Sequence, residues 1–203
     1  MHYKLIKVGA HKGTDIKIQI KNKDRCIFIE PVKELFDILE ENLNNKYPNN
    51  KFVYLNQAAS NSVGSLSLYV PEVNESGPSY LDQLSSVLPN HVKDHNLSFS
   101  SIKREVESTT LDSLIENNGI TSIEYLIIDT EGHDKEVLDG LTYIKPDTII
   151  FENKHIGGTF SKSKTKYKDT LTKLTNKGYI LKKQNNEPYV IRSSHTSYFK
   201  WDK

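Results

Sequence analysis

The densest group of reactive side chains in the sequence follows the apolar run Tyr125–Ile128. Asp129, Glu131, His133 and Asp134 place three carboxylates and one imidazole within six positions. Because such groups are costly to gather at the end of a buried strand, their concentration there predicts a use in binding or catalysis. Asp129 and Glu131 could accept a proton, ligate a metal ion or hold a cationic group of a ligand. The alternative is that Glu131 and Asp134 only stabilise the N-terminus of the following helix.

A glycine-containing loop follows the first apolar run of the chain, Tyr3–Val8. Gly9, directly after a buried strand, lets the backbone turn sharply and lets a ligand approach it closely. Gly13 would allow close packing at the start of the next element. The loop lacks the Gly-x-Gly-x-x-Gly spacing, so it does not meet the fingerprint of a dinucleotide-binding site. Taken alone, the loop fits a structural turn equally well.

An acidic residue ends the second apolar run. Glu30 follows Arg25–Ile29 and lies 21 residues after Gly9. An acidic side chain at this distance can accept hydrogen bonds from both ribose hydroxyls of an adenosine-containing ligand. A carboxylate here could instead stabilise the N-terminus of the helix that Pro31 begins. In combination with the glycine loop, the position favours ribose recognition.

Strand and helix patterns alternate along the chain and must position these residues. The predicted strands are Tyr3–Val8, Arg25–Ile29, Phe52–Leu55, Ser65–Val70, Tyr125–Ile128, Thr148–Phe151, Tyr179–Leu181 and Tyr189–Ile191. The predicted helices are Pro31–Tyr47, Leu111–Asn117, His133–Leu141 and Lys164–Lys177. The Thr14–Asn22 segment could be a helix, although its alternation suits a strand better. The segment 71–104 is predicted to be an irregular insert that acts as a lid or binds substrate.

This alternation predicts an α/β fold of Rossmann type, with a mostly parallel central sheet, helices on both faces and a C-terminal antiparallel strand pair. Such sheets bind ligands at the carboxyl ends of their strands, where the strand order reverses. The loops after Val8, Ile29, Leu55, Ile128 and Phe151 should therefore surround one crevice. Since no repeat or domain boundary is evident, we predict a single domain over residues 1–203.

Charge and cysteine content narrow the class of partner and the compartment. The 203 residues include 27 Lys and Arg against 26 Asp and Glu, which gives a formal net charge of +1. This balance, without a basic stripe interleaved with aromatics, argues against nucleic acid or a membrane as the main partner. Cys26 is the only cysteine, and its apolar neighbours predict a core residue. No long apolar stretch is present, so we expect a cytoplasmic protein.

An ordered set of short stretches resembles the FkbM-type methyltransferases. The stretches are Val8–Gly13, Phe28–Val32, Asn56–Ser60, Thr110–Leu114, Ile128–His133, Val137–Gly140, and Lys145-Pro146 ahead of Ile149–Glu152. They occur in the order of the family and cover nearly the whole chain. The resemblance implies the Rossmann-like fold of class I methyltransferases, S-adenosylmethionine as methyl donor and, in most members, O-methylation.

The resemblance also implies a cofactor site. Glu30 would hold the ribose hydroxyls, and Asp129 would lie beside the transferring methyl group. Ser79 would belong to a serine-rich stretch that approaches the site. The other implied cofactor contacts are Gly9, Ala10 and His11 at the methionine end, Gln57 and Ala58 near the adenine, and Gly13 and Pro31 within the matching loops.

One residue departs from the pattern of the family. Where the family usually has an acidic residue two positions before the first glycine, this sequence has Lys7. An acid there helps to hold the ammonium of the methionine part, whereas a desolvated lysine would repel it by roughly a few kcal/mol. The first alternative function is therefore a catalytically weakened methyltransferase fold that serves as a binding module. The second is a nicotinamide-dependent oxidoreductase, which the missing fingerprint glycine disfavours.

The chemistry implied is an in-line displacement at a methyl group, for which an alcohol needs a base to remove its proton. Our candidates for the base are Asp129 and Glu131, with His133 and His155 in reserve. Because no third ligand accompanies the two carboxylates, we expect catalysis without a metal ion. The expected substrate is a hydroxyl of a carbohydrate or another small molecule, selected by the 71–104 segment and the loop after His155. The sequence leaves its identity and the oligomeric state open.

Overall fold

Strands and helices nearly alternate along the described part of the chain. A computed structural model describes residues 1–72, 77–160, 164–182 and 189–192. The strands are β1 (His2–Val8), β2 (Cys26–Ile29), β3 (Val53–Leu55), β4 (Ala58–Ser60), β5 (Gly64–Pro71), β6 (Ser101–Thr110), β7 (Ser122–Ile128), β8 (Thr148–Phe151), β9 (Tyr179–Lys182) and β10 (Tyr189–Arg192). The helices are α1 (Lys33–Lys46), α2 (His91–Asp94), α3 (Leu111–Asn117), α4 (Asp134–Asp139) and α5 (Lys164–Asn176), with a 3-10 turn at Leu81–Gln83.

The central sheet has seven strands in the order β3-β2-β1-β7-β8-β10-β9. The first five are parallel, whereas β10 runs antiparallel to both β8 and β9. From β1 the chain adds β2 and β3 on one side and later returns to add β7 and β8 on the other, so the strand order reverses beside β1. The predicted Rossmann-like α/β fold and its C-terminal strand pair are confirmed.

The register aligns the strand ends that carry the candidate residues. Val8 at the end of β1 pairs with Ile29 of β2 and with Ile128 of β7. Leu55 of β3 and Phe151 of β8 continue the same row on either side. The residue that follows each of these strands therefore emerges at one edge of the sheet, as the crevice prediction requires.

A second sheet of three strands, in the order β4-β6-β5, lies in the segment between β3 and α3. Of this sheet the sequence predicts only β5, which lies at one edge. β6 pairs with β5 from Ser101 to Ser108, yet most of its side chains are polar and few are buried. The prediction that 71–104 is wholly irregular is thus wrong, because this segment contains the 3-10 turn, α2 and the start of β6.

Apolar side chains of the central strands pack in two clusters. Leu5 and Cys26 belong to one cluster together with residues of α1, while their chain neighbours Ile6 and Ile27 belong to the other. Because successive residues of a strand point to opposite faces, these clusters cover the two sides of the sheet. Burial raises the pKa of the Cys26 thiol to about 12, so Cys26 is the core residue predicted and not a nucleophile.

The Thr14–Asn22 segment forms neither the helix nor the strand considered for it. Its backbone is irregular, although Ile18 and Ile20 are buried in the cluster on the α1 side of the sheet. The alternation of its isoleucines therefore reflects burial of Ile18 and Ile20 in this cluster and not pairing with a neighbouring strand.

Helix boundaries lie close to the predicted ones. The Thr110 side chain accepts a hydrogen bond from the Ser113 N–H at 3.0 Å and caps α3. α1 begins at Lys33, two residues after Pro31. Among the described residues, no helix combines the length and apolar character needed to cross a bilayer.

Candidate functional site

A cleft opens at the carboxyl edge of the central sheet, beside β1. Its volume is about 950 Å³, including the part that is open to solvent. Ten of the residues predicted for the site line it: Gly9, Ala10, His11, Glu30, Pro31, Gln57, Ala58, Asp129, Glu131 and His133. Among the described residues that line the cleft, Gly13, Ser79 and His155 are not found.

The loop after β1 forms the floor of the cleft. Gly9 and Ala10 both donate their N–H groups to the Ile29 carbonyl at 3.0 Å, which holds this loop against the end of β2. A Cβ atom on Gly13 would lie 2.7 Å from Cδ1 of Leu39 in α1. Gly13 therefore provides the close packing predicted for it, against α1, and does not line the cleft.

Glu30 is buried, with 4% of its surface exposed, and both of its carboxylate oxygens are engaged. Oε2 accepts the His11 N–H at 2.8 Å and Oε1 accepts the Val32 N–H at 3.0 Å. Each oxygen keeps a further lone pair, so the carboxylate can also accept a hydrogen bond from a ligand hydroxyl. Burial raises the pKa of Glu30 to about 7. The bond to Val32, which precedes α1, also satisfies the alternative role at the start of that helix.

Asp134 holds the ends of β7 and β8 together. Its side chain is fully buried, Oδ2 accepts the Thr130 hydroxyl at 2.7 Å, and Oδ1 accepts the Glu152 N–H at 3.0 Å. Burial raises the pKa of Asp134 to about 7. Of the carboxylates after β7, this one therefore has a structural role, although its bonds join two strand ends and none of them is to the N-terminus of the following helix.

Asp129 and His133 present side chains to the cleft in different ways. Within the described ranges, no hydrogen bond or ion pair reaches the Asp129 carboxylate. His133 precedes α4, and its Nε2 lies 2.9 Å from Oγ of Ser60. Burial lowers the pKa of His133, so its ring is mainly neutral near pH 7. Because no described residue pairs with it, the Asp129 carboxylate is available to interact with a ligand.

Glu131 connects the cleft to a group of histidines. Its backbone has a φ of +51°, and its carbonyl accepts the Ser86 hydroxyl at 2.7 Å. Its Oε2 lies 2.9 Å from Nε2 of His91 and 3.4 Å from Nε2 of His155. A non-glycine residue in this conformation is uncommon, and the Ser86 bond helps to hold it in place.

The segment that the sequence analysis treated as irregular supplies a wall of the cleft. Asp82, Gln83, Ser85 and Val87 line it, whereas the predicted Ser79 is exposed and lies elsewhere. The sequence does not predict these four residues, since they form no motif that is typical of a binding site.

His91 and His95 were missed in the same segment, although a signal for them exists. Residues four apart lie on the same side of a helix, so the His-x-x-x-His spacing predicts two imidazoles that face one partner. In the structure both approach Glu131.

Three lining residues carry buried polar atoms that have no hydrogen-bond partner in the described structure. They are Nε2 of His11, Oδ1 of Asp82 and Oγ of Ser85. His11 Nε2 and Asp82 Oδ1 are 3.3 Å apart but are not aligned for a hydrogen bond. Because an unsatisfied buried polar group costs about 1–3 kcal/mol, a polar ligand that pairs with these atoms would be stabilised.

Lys7 brings a cation into the cleft. It is 2% exposed and lines the cleft, and in the described part of the chain its ammonium has no hydrogen bond or ion pair. Its charge lowers the pKa of Glu30, against the larger opposite effect of burial. The carboxylates that line the same cleft are Asp15, Glu30, Asp82, Asp129 and Glu131. The lining is therefore richer in acids than in cations.

A comparison with protein families assigns the chain. It matches the methyltransferase FkbM domain over residues 7–181. This span begins in β1, ends in β9 and contains all residues that line the cleft. No curated protein matches the chain. The family match, the strand order and the cleft at the point where that order reverses agree with one another, and the chain therefore belongs to the FkbM methyltransferase family.

Proposed function

We propose that this methyltransferase binds S-adenosylmethionine in the strand-end cleft and methylates a hydroxyl of a carbohydrate or another small molecule. The observation that carries the proposal is the convergence of Gly9, Glu30 and Asp129 on one cleft beside β1. When bound, S-adenosylmethionine would supply a methyl group on its sulfonium: the acceptor oxygen bonds to the methyl carbon in line as the carbon–sulfur bond breaks, and S-adenosylhomocysteine leaves. The protein must bind the donor, align the acceptor and take up its proton.

The charge of the cleft supports a cationic ligand. Five carboxylates and one lysine line it, and the donor carries both a sulfonium and an ammonium. A nicotinamide dinucleotide would instead bring two negatively charged phosphates among these carboxylates. Electrostatics thus argues against the oxidoreductase alternative, in addition to the missing glycine.

The lining of the cleft suits both parts of an adenosine group. The lone pairs of Glu30 that the His11 and Val32 N–H groups leave free can accept ribose hydroxyls. Ala58 also lines the cleft, as do the apolar side chains Leu35, Leu66, Leu68 and Val87. A purine ring can lie against such a surface, which agrees with the adenine contact that the resemblance implies for Gln57 and Ala58.

Asp129 is our choice of general base. Its carboxylate lines the cleft and, among the described residues, has no partner that competes for a proton. Glu131 also lines the cleft, but its Oε2 already lies 2.9 Å from a nitrogen of His91. The proton of the acceptor hydroxyl would therefore pass to Asp129 as the oxygen attacks the methyl group.

Calorimetry on the purified chain tests the ligand. We expect S-adenosylhomocysteine to bind and NAD to give no heat. In a thermal-shift assay S-adenosylhomocysteine should raise the melting midpoint and NAD should not, because only a ligand of the native state raises that midpoint. Incubation with methyl-labelled S-adenosylmethionine and a fractionated cell extract tests the acceptor class. Label should enter a small-molecule or carbohydrate fraction; label confined to nucleic acid or protein would reject the proposed substrate.

The position of Lys7 favours a second candidate, a fold retained for binding with weakened catalysis. A buried ammonium among the cleft residues opposes the ammonium of the donor. This candidate predicts that S-adenosylhomocysteine binds weakly and that no extract fraction becomes labelled.

A further inference from the structure

Four side chains of metal-ligating type meet at the border of the cleft. They are His91, His95, Glu131 and His155, and one ligating atom of each lies within 4.8 Å of those of the other three. α2 supplies His91, and His95 follows directly after its last residue. The loops after β7 and β8 supply Glu131 and His155. Only Glu131 lines the cleft, so the histidines form a separate layer behind it.

This cluster contains a buried nitrogen for which the described structure provides no partner. His91 and His155 are each 1% exposed, and Nε2 of the half-buried His95 makes no hydrogen bond. The ring centroids of His91 and His95 are 4.7 Å apart, and those of His95 and His155 are 5.3 Å apart. Buried polar atoms without partners are rare in folded proteins, and a bound cation would give His95 Nε2 its partner.

The surroundings of His91 suit a metal ligand. Its Nδ1 lies 2.8 Å from the hydroxyl of Thr159, and its Nε2 points at Oε2 of Glu131. A hydroxyl can accept as well as donate, so the ring proton can reside on Nδ1 and be donated to Thr159. The Nε2 lone pair is then free to bind an ion, with the second nitrogen held by an oxygen as is usual for metal-bound histidines.

His155 has the opposite hydrogen-bonding pattern. Its Nδ1 accepts the Phe160 N–H at 3.1 Å, which places the proton of the neutral ring on Nε2. That Nε2 lies 3.4 Å from Oε2 of Glu131 and 3.6 Å from Oε1 of Glu152. The Nε2 proton of His155 is thus turned toward the Glu131 carboxylate and can orient it, while the lone pair of the ring is already used.

We propose that His91, His95 and Glu131 bind a divalent transition-metal ion and that His155 acts as a positioning residue for the Glu131 carboxylate. Two imidazoles and one carboxylate suit zinc, manganese or iron better than magnesium. Three protein ligands leave coordination positions open for a water or substrate oxygen, as in catalytic sites. The sequence predicts no metal site because no third ligand accompanies Asp129 and Glu131; His91 of α2 and His95 directly after this helix supply the missing ligands.

The role of the ion rests on the proposed function. An acceptor hydroxyl that reaches the ion beside Glu131 would have a lowered pKa, and its proton would pass to Asp129. Metal binding itself depends only on the three ligands and is measured separately.

The experiment uses the full chain, with any affinity tag removed and metal stripped by a chelator. Calorimetry with zinc chloride, manganese chloride or magnesium chloride alone should give one equivalent of zinc or manganese and no magnesium. His95→Gln should weaken binding by about 100-fold or more, and His155→Gln by about 10-fold, since even outer-shell partners contribute about 10–100-fold. The matched control is His2→Gln, an exposed histidine bonded to Ser122, and it should bind as the wild type does.

A second measurement separates lost ligation from misfolding. Zinc should raise the melting midpoint of the wild type and of His2→Gln, but not that of His95→Gln, whose midpoint without metal should stay near the wild-type value. Failure of the wild type to bind zinc or manganese, or equal binding by His95→Gln, would overturn the inference. So would binding that survives His95→Gln and is lost in Glu152→Gln, because the ion would then lie among Asp129, Glu131 and Glu152.

Binding of S-adenosylhomocysteine to the metal-free chain distinguishes this inference from the proposed function. If that ligand binds and no metal does, the metal site alone is rejected. If metal binds and the ligand does not, the proposed function is rejected and the site stands.

Discussion

A Cβ atom on Gly9 would lie 1.8 Å from the carbonyl oxygen of Asp129. Gly9 has a φ of +69°, and the Asp129 N–H donates to the Val8 carbonyl at 3.0 Å. The loops after β1 and β7 thus touch at a point where only a glycine fits. The close approach that the sequence analysis assigned to a ligand is made here by the backbone of the protein.

Gly9→Ala should therefore destabilise the protein. Overpacking against a backbone atom and a left-handed conformation for alanine each cost roughly 1–3 kcal/mol. We expect the free energy of unfolding, measured by urea denaturation, to fall by about 3 kcal/mol or more. Gly119→Ala is the matched control, with a similar φ of +57° but no atom closer than Met1 Cε at 3.9 Å. It should cost only about 1 kcal/mol, and equal losses for the two variants would contradict the contact.

Glu30 should make the fold less stable as pH rises towards neutrality. Burial raises its pKa from 4.5 to about 7, so the folded state holds a proton that the unfolded chain has released. The contribution of Glu30 to the free energy of unfolding is fully present below the pKa that this side chain has in the unfolded chain. It is lost as pH rises through the pKa in the folded state, and the total loss is about 3 kcal/mol.

Glu30→Gln tests this contribution through the slope of stability with pH. Urea denaturation between about pH 5 and pH 8 should give a flatter dependence than in the wild type. The absolute stability should fall, because glutamine has one acceptor oxygen for the His11 and Val32 N–H groups. The exposed Glu40→Gln should keep the wild-type slope, and an unchanged slope in Glu30→Gln would refute the assignment.

Lys7→Gln should tighten the binding of S-adenosylhomocysteine. The buried ammonium of Lys7 lines the cleft, and its removal should relieve repulsion of the ligand ammonium, giving about tenfold higher affinity by calorimetry. Methylthioadenosine lacks the amino-acid part and serves as the control ligand, for which we expect no change. A weaker affinity of the variant would show instead that Lys7 holds the ligand carboxylate.

Asp129→Asn should lower the rate of methyl transfer with little effect on product binding. Loss of a general base costs about 100-fold or more in kcat, while S-adenosylhomocysteine has no sulfonium charge for the carboxylate to hold. Kinetics with labelled donor and calorimetry with the product measure the two effects. Asp37→Asn, on the exposed side of α1, should keep full activity. A wild-type rate in Asp129→Asn would transfer the role of base to Glu131.

Asp134→Ala and Asp134→Asn should differ in stability. Alanine leaves the Thr130 hydroxyl and the Glu152 N–H without their acceptor, at a cost of about 2–3 kcal/mol. Asparagine can accept the Glu152 N–H and donate to Thr130. Because burial raises the pKa of Asp134 to about 7, a neutral asparagine should cost least above that pH. Urea denaturation near pH 8 should therefore rank the asparagine variant well above the alanine variant, and equal losses would show that the hydrogen bonds contribute little.

The sequence alone determined the central sheet and the residues at its strand ends. Val8, Ile29 and Ile128 end runs of apolar residues that are buried on both sides, and such runs identify parallel strands without knowledge of their partners. Because parallel strands end at one edge, Gly9, Glu30 and Asp129 were expected at a common cleft, and they lie there.

Only the tertiary structure decided the rest of the site. β6 is mostly polar, so nothing in its sequence indicates its pairing with β5. That pairing helps to set where the 71–104 segment lies, and hence that Asp82 and Ser85 line the cleft and His91 and His95 approach Glu131. Contacts between residues about 40 positions apart depend on how a polar segment packs. Such packing produces no hydrophobic periodicity in the sequence from which it could be predicted.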